Sequence, residues 1–157
     1  MLEGCDMIVG LTHLPSFKAE DTVKIKRAFI ADKARILEFV RENFNEGWVY
    51  EAEKALLSEV SKCFIAVENN KILGFSCFDS AAKGFFGPIG VSREARGKNV
   101  GAVLLIRTLE AMRDYGYGYA IIGWVNGAEN FYRKTVGAEF IKNGNPENSV
   151  YSNLIAL

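Results

Sequence analysis

The stretch RGKNVG, residues 96–101, constrains the fold more than any other part of the chain, because it is a basic, glycine-bearing turn between two clear patterns. Residues 84–91 (GFFGPIGV) before it predict a strand, and residues 103–115 (VLLIRTLEAMRDY) after it predict an amphipathic helix. The first N–H groups of a helix have no intrahelical partner and lie at the positive end of the helix dipole. Because Arg96 and Lys98 add positive charge there, we predict that this loop binds a phosphate group.

Two common phosphate-binding loops do not fit the spacing. A Walker A loop requires a glycine, four further residues and then Gly-Lys-Ser/Thr. Here the nearest glycine pair, Gly90 and Gly97, is too widely spaced, and Asn99 stands where a hydroxyl should bind magnesium. A dinucleotide-binding loop requires Gly-x-Gly-x-x-Gly after the first strand, and the chain has no such triplet.

The loop resembles the Arg/Gln-x-x-Gly-x-Gly/Ala signature of the GCN5-related N-acetyltransferases (GNAT), with Asn99 at a position that is usually glycine. In that family the loop wraps the pyrophosphate of acetyl-CoA. Residues 128–134 (AENFYRK) and 136–140 (VGAEF) resemble the second cofactor-binding block of the family, so the resemblance extends in order over residues 63–141. Asparagine tolerates the left-handed backbone region better than most residues, and we therefore expect the loop to keep its shape.

The resemblance also implies which residues contact the cofactor, acetyl-CoA. In the family, the end of the strand before the loop lies beside the pantetheine arm, and the loop and the second block supply the other contacts. Asn126 is equally well placed to cap the helix that follows it. The implied cofactor-binding residues are Ile89, Gly90, Val91, Arg96, Gly97, Lys98, Asn99, Val100, Gly101, Ala102, Asn126, Asn130 and Tyr132.

Composition and charge narrow the class of function. The 157 residues suffice for one domain over residues 1–157, and a content of 49% hydrophobic and 24% charged residues is typical of a globular protein. The formal net charge is zero and no basic stripe is evident, so we expect no nucleic-acid partner. No apolar run approaches the ~18 residues of a membrane span, and the N-terminus lacks the order of a signal peptide, so we expect no membrane partner.

Cysteine and histidine usage argues against disulfide and metal chemistry. Cys5, Cys63 and Cys77 are an odd number without metal-type spacing, and the chain has one histidine. We therefore expect no metal site and a reducing, cytoplasmic location.

The remaining patterns complete the predicted fold. The predicted strands are 6–17, 22–30, 63–68, 72–78, 84–91, 119–125, 138–142 and 149–155. The predicted helices are 51–60, 103–115, 128–135 and one that follows an N-cap at Asp32 and buries Phe44. The resemblance places these elements in an α/β fold, a single GNAT domain with a mixed, mostly antiparallel sheet, a splayed central pair of parallel strands and about four helices.

The strand before the loop is predicted to leave backbone groups free for a ligand. Gly87, Pro88 and Gly90 should interrupt the sheet, because proline cannot donate to a ladder and glycine permits a bulge. The freed N–H and C=O groups of residues 89–91 could then pair with the amide arm of pantetheine. The alternative for Gly87 and Pro88 is an ordinary turn.

Tyr132 is the predicted acid. It aligns with a family tyrosine that often gives a proton or a hydrogen bond to the leaving thiolate. The alternative is a tyrosine that packs on the core with a solvated hydroxyl.

The predicted general bases are Glu51 and Asp79, with Glu53 and Glu129 as further candidates. Asp79 is expected at a strand end that faces the cleft, and Glu51 falls in the segment that often lines the acceptor site of the family. For each of them a solvated surface carboxylate is the alternative. The aromatic residues that could line an acceptor pocket, rather than pack in the core, are Trp48, Tyr50, Phe85 and Phe86.

These features imply an N-acetyltransferase that moves the acetyl group of acetyl-CoA directly to a primary amine of a small molecule. The sequences of residues 83–91 and 118–138 are most similar to those of bacterial members linked to amino-sugar acetylation. Glucosamine is therefore one predicted acceptor. The alternatives are another small amine, a polypeptide amine, or a non-catalytic acyl-CoA-binding sensor or assembly domain. The chain could also form a homodimer, because the apolar residues 150–157 (VYSNLIAL) could pair with a partner chain.

Overall fold

Seven strands form one mixed sheet in the computed structural model, which describes residues 4–157. The spatial order is β2-β3-β4-β5-β6-β1-β7, and every neighbouring pair is antiparallel except β5 and β6, which are parallel. The strands are β1 (Cys5–Gly10), β2 (Lys24–Arg27), β3 (Cys63–Glu68), β4 (Lys71–Phe78), β5 (Phe85–Val91), β6 (Tyr119–Val125) and β7 (Glu139–Phe140).

Helices cover both faces of this sheet. The α-helices of the described residues are α1 (Lys33–Asn43), α2 (Glu46–Leu56), α3 (Val100–Tyr115) and α4 (Glu129–Val136). Short 3-10 helices occupy Ile30–Asp32, Arg93–Ala95, Pro146–Asn148 and Val150–Asn153. This architecture confirms the predicted GNAT fold, with its mixed sheet, parallel central pair and four helices.

Two hydrophobic clusters, one on each face, hold the helices to the sheet. On the α3 face, Leu104, Leu105 and Leu109 are fully buried, as expected for residues that recur on one side of an amphipathic helix. On the α1–α2 face, Ile36 and Val40 pack in a separate cluster with residues of β3 and β4. The sheet therefore separates two compartments, and a connection between them requires a gap between strands.

That gap lies between the two parallel strands. β5 pairs with β6 only at Phe85 and Phe86, which lie opposite Ile121 and Ile122. Beyond this point β5 stays bonded to β4 while β6 stays bonded to β1, so the two strands diverge. Gly87 has a φ of 116°, a conformation that favours glycine, and the next residue is a proline without an N–H group. The predicted splay is thus confirmed.

Helix α2 begins earlier than predicted, at Glu46 instead of residue 51, and ends at Leu56 instead of residue 60. Asn45 caps its start, because the side-chain Oδ1 accepts a hydrogen bond from the N–H of Trp48 at 2.9 Å. Val60, the last residue of the predicted helix, lies beyond the observed end and is 61% exposed. Asp32 occupies the N-cap position of α1 as predicted, although its side chain makes no capping bond.

The predicted closing strand over residues 149–155 is wrong. Val150–Asn153 is a 3-10 helix, and the short β7 is the edge strand after α4. Ser149 donates a hydrogen bond to the buried Asp6 carboxylate, and the Tyr151 ring turns inward against Trp124, with ring centroids 4.9 Å apart. Side-chain anchoring therefore replaces a strand ladder here, and these residues offer no strand edge for a dimer.

Burial predicts how two leucines differ in their contribution to stability. Leu104 is fully buried and Leu57 is 55% exposed. We expect Leu104→Ala to lower the free energy of unfolding by about 3 kcal/mol, because it leaves a cavity in the core. The matched control Leu57→Ala should change it by less than about 0.5 kcal/mol. Urea unfolding followed by circular dichroism measures both, and equal losses for the two variants would contradict the packing described here.

Candidate active site

The gap between β5 and β6 opens into a cleft of about 1030 Å³. Its walls are the diverging backbones of residues 86–91 and 122–128, and it reaches the loop before α3. Glu51 and Trp48 of α2 line it from the other face of the sheet. The cleft is thus a passage that joins the two sides of the sheet.

The loop before α3 presents free backbone donors to this cleft. Asn99 adopts the left-handed conformation, with φ 62° and ψ 12°, as its tolerance for that region predicts. The first intrahelical bond runs from the Val103 N–H to the Asn99 carbonyl, at 3.0 Å. The N–H groups of Val100, Gly101 and Ala102 therefore precede the helix ladder and are available to an anion.

Arg96 adds the positive charge of this end of the cleft. Its side chain is exposed and lines the cleft, and the ion pairs found within residues 4–157 do not include it. Lys98, predicted as a second cofactor contact, is exposed and lies outside the cleft lining.

A wall formed by residues 89–91 connects the loop before α3 to the gap between β5 and β6. Ile89, Gly90 and Val91 line it, and the ring of Phe44 lies so close to Gly90 that a Cβ there would overlap with it. Phe44, predicted to be buried, packs against the buried Phe75 with ring centroids 5.6 Å apart, and it also lines the cleft from the C-cap position of α1. Because β5 no longer pairs with β6 beyond Phe86, the backbone groups of residues 89–91 on that side lie along the cleft and suit an extended amide chain such as a pantetheine arm.

Tyr132 presents a free phenol at the cleft. Its side chain is 7% exposed and packs against Phe86 and Phe131, with ring centroids 6.3 and 5.2 Å away. No hydrogen bond among the described residues involves its hydroxyl. The usual pKa of tyrosine, about 10, already keeps the phenol protonated at neutral pH, and burial raises the pKa of Tyr132 further, so the hydroxyl can donate.

Glu51 presents a free carboxylate from the opposite face of the sheet. It is half-buried in the cleft, and no ion pair or hydrogen bond of the described side chains involves it. Burial raises the pKa of Glu51, and the nearby charge of Lys54 opposes that shift. A carboxylate with a raised pKa and no partner has the properties of a general base.

Asp79 does not face the cleft, and that prediction is wrong. Its carboxylate forms an ion pair with Lys62 at 2.9 Å and accepts hydrogen bonds from the Tyr117 hydroxyl at 2.9 Å and the Gly84 N–H at 2.7 Å. Burial and the bond to Asp79 raise the pKa of Tyr117 to about 12. The carboxylate is therefore fully engaged at the end of β4, away from the cleft lining.

The other candidates divide between the cleft and the surface. Asn126, Trp48 and Phe86 line the cleft, as do the predicted loop residues other than Lys98. The residues outside its lining are Tyr50, Glu53, Phe85, Glu129 and Asn130. Glu53 forms an exposed ion pair with Lys33 at 3.2 Å.

Trp124 and Tyr151 are among the cleft residues that were not predicted. Trp124 has a positive φ of 49°, and its backbone N–H donates to the Asp6 carboxylate at 2.9 Å. The chain therefore turns at the end of β6. Tyr151 reaches the cleft from the 3-10 helix that follows Ser149, and its hydroxyl lies over Gly123. The positions of both residues depend on Asp6, which is distant in sequence, so no local pattern could have indicated them.

Comparison with known families agrees with this geometry. Residues 29–138 match the model of the acetyltransferase (GNAT) family, so the chain belongs to this family of acetyl-CoA-dependent N-acetyltransferases. The family uses acetyl-CoA as the acetyl donor, and the residues here fit that molecule: free N–H groups and Arg96 for its phosphates, and the wall at Gly90 for its pantetheine arm. A comparison with curated proteins finds no significant match.

Solved structures share the fold at low sequence identity. A GCN5-related N-acetyltransferase from Sphaerobacter thermophilus aligns with a TM-score of 0.70 and 20% identity, covering 87% of this chain and 48% of that one. The glucosamine N-acetyltransferase region of a fungal multi-domain GH3 beta-N-acetylglucosaminidase aligns with a TM-score of 0.66 and 15% identity, covering 87% and 19%. YhbS from Escherichia coli, in complex with CoA, aligns with a TM-score of 0.52 and 16% identity, covering 67% and 63%. The chain spans less than two thirds of each of these proteins.

Two further features of the described residues bear on function. Within residues 4–157, no helix combines the length and apolar character needed to cross a membrane. The same residues contain no group of three or more histidine, cysteine, aspartate or glutamate side chains placed to hold a metal ion.

The position of Arg96 in the cleft generates a binding prediction. We expect Arg96→Ala to weaken CoA binding about tenfold, because it removes a charge-assisted bond to a phosphate. The matched control Lys98→Ala lies outside the cleft, and its dissociation constant for CoA should stay within about twofold of the wild-type value. Isothermal titration calorimetry gives both dissociation constants. Binding of pantetheine, which has no phosphate, should be unaffected in both variants, and equal losses of CoA affinity would contradict the assignment of Arg96.

Proposed function

We propose that this acetyltransferase transfers an acetyl group directly from acetyl-CoA to a primary amine through the gap between β5 and β6. The observation that carries the proposal is the placement of three groups along one cleft. The phosphate loop and Tyr132 belong to the α3–α4 face of the sheet, Glu51 belongs to the α1–α2 face, and all of them line the passage between those faces.

The donor side of the proposed reaction uses the loop and Tyr132. Bound acetyl-CoA supplies an acetyl thioester, and transfer exchanges its carbon–sulfur bond for a carbon–nitrogen bond to the acceptor. The N–H groups of residues 100–102 and Arg96 hold the phosphates, and the wall at Gly90 directs the reactive end into the gap. Tyr132, a phenol whose pKa burial raises, gives its proton to the departing sulfur. The second proton that the acceptor nitrogen loses as the amide forms passes to solvent, and solvent reprotonates Tyr132.

The acceptor side uses Glu51. An ammonium group must lose a proton before its nitrogen can form the new bond, and Glu51 is a free carboxylate inside the cleft. Its raised pKa makes it a stronger base than an exposed glutamate, and it releases the proton to solvent afterwards. Cys5, Cys63 and Cys77 are buried and lie outside the cleft lining, which favours direct transfer over a cysteine-bound acyl group.

The proposed acceptor is a small amine, with an amino sugar such as glucosamine as the first candidate. Two observations support this choice: the sequence similarity to members linked to amino-sugar acetylation, and the fold shared with the fungal glucosamine N-acetyltransferase region. Another small amine or a polypeptide amine is the nearest alternative. A non-catalytic acyl-CoA sensor is less well supported, because a sensor needs neither Tyr132 nor Glu51 in the cleft. A cytoplasmic location and homodimer formation stay predictions from the sequence.

Removal of the Tyr132 hydroxyl tests the acid. We expect Tyr132→Phe to lower kcat about 100-fold, because general acid catalysis contributes at least that factor. The CoA dissociation constant should stay within about twofold, since the ring that packs against Phe86 is retained. Thiol release from acetyl-CoA measures kcat, and an unchanged kcat would exclude Tyr132 as the acid.

Removal of the Glu51 charge tests the base through the pH profile. A raised pKa means that Glu51 becomes protonated, and thus inactive, at a higher pH than the ~4.3 typical of glutamate. The kcat/KM of the wild-type chain should therefore fall as pH decreases through that pKa. We expect Glu51→Gln to lower kcat/KM about 100-fold and to abolish this acidic limb.

The matched control for that variant is Glu53→Gln on the same helix, where the carboxylate pairs with Lys33 outside the cleft. It should keep both the rate and the acidic limb. A Glu51→Gln variant that retains the limb would show that another group is the base.

A further inference from the structure

We infer that the acceptor half of the cleft selects amines whose remaining body carries no negative charge, and rejects their phosphorylated or carboxylated counterparts. The acceptor half is the part lined by Trp48, Glu51, Ala81, Trp124 and Tyr151. This inference rests on the proposed function, because it concerns the molecule that enters the cleft opposite the acetyl donor.

The charges that line the cleft are unequally distributed. Among its lining residues only Arg96 and Glu51 carry a full charge, and Arg96 belongs to the phosphate loop. The acceptor half is therefore lined by one carboxylate, three aromatic rings and small residues. It contains no cation that could pair with a phosphate or carboxylate on the acceptor.

The nearest cation to Glu51 does not supply that pairing. Lys54 lies one turn along α2, and its Nζ donates to the Ser80 carbonyl at 2.8 Å, outside the cleft lining. The charge of Lys54 lowers the pKa of Glu51, but burial raises that pKa by more. The ammonium group is thus bonded to a backbone carbonyl and lies outside the cleft lining.

A second carboxylate strengthens the negative field of this half. Asp6 is 5% exposed and lies behind Tyr151 and Trp124, held by the Trp124 N–H at 2.9 Å and by Ser149. Burial and the charges of Glu51 and Asp6 all raise the pKa of Tyr151. Two carboxylates therefore act on the same small volume without a compensating cation in its lining.

These negative charges attract the ammonium group of an acceptor and repel a phosphate or carboxylate group elsewhere on it. An ammonium group can pair with Glu51 and lie against the faces of Trp48 or Trp124. A phosphate or carboxylate would lose its hydration and lie close to the carboxylates of Glu51 and Asp6. This is unfavourable without a paired cation. Glucosamine would therefore be accepted and glucosamine 6-phosphate rejected, just as phenethylamine would be preferred over phenylalanine.

The test compares matched pairs of amines. Thiol release from acetyl-CoA gives kcat/KM for glucosamine against glucosamine 6-phosphate and for phenethylamine against phenylalanine. We expect the member without an anionic group to be preferred about tenfold or more in each pair that is acetylated. Equal values, or a preference for the anionic member, would overturn the inference.

A variant at an exposed lining position tests the electrostatic cause. Ala81 is exposed, so Ala81→Lys should fold normally while it places a cation in the acceptor half. We expect this variant to reduce the preference about threefold or more, because the new ammonium can pair with the anionic group. The matched control Ala81→Met has similar length without charge and should leave the preference unchanged. An equal effect of both variants would overturn the electrostatic explanation.

A binding measurement separates this inference from the proposed function. If CoA binds but no amine is acetylated, the proposed function fails, and calorimetry of the same amines with the CoA-loaded protein then decides the inference. Tighter binding of the members without an anionic group supports it. Equal binding, reversed preference or no binding of any amine overturns it.

Discussion

The early end of the hydrogen bonds between β5 and β6 is the constraint on which the site depends. Pairing stops after Phe86 and Ile122, where Gly87 adopts a positive φ and Pro88 has no N–H group to donate. Each strand remains bonded on its other side, to β4 and β1, so the sheet survives the interruption. A sheet that would otherwise separate two hydrophobic cores therefore contains a passage with backbone groups along its walls.

The two faces of the sheet give the two halves of this passage different chemistry. On the α3–α4 face, free N–H groups at a helix start and Arg96 favour phosphates, and a buried phenol can donate a proton. On the α1–α2 face, Glu51 lies among aromatic rings with no lining cation. Because opposite charges line opposite halves, a polyanionic donor and a cationic acceptor are each directed to one side, and they meet where the strands diverge.

Local patterns predicted much of the fold and the donor half of the site. The continuous apolar run of β6 and the antiparallel pair β3–β4 appear in the structure with nearly the predicted bounds, and Asn99 takes the left-handed conformation. The acceptor half was less predictable because contacts distant in sequence determine it. Tyr151 reaches the cleft through an anchor on Asp6 instead of lying in a strand, and Asp79 is withdrawn by an ion pair with Lys62. Neither contact follows from the periodicity of the surrounding residues.

A crystal structure of the chain with CoA would test the role of the gap most directly. The pyrophosphate should accept hydrogen bonds from the N–H groups of residues 100–102. The sulfur should lie between Gly87 and Gly123, within ~4 Å of the Tyr132 hydroxyl, the reach needed for proton donation to a sulfur atom. A sulfur outside the gap, or one separated from Tyr132 by protein, would show that the divergence of β5 and β6 is not where acetyl transfer occurs.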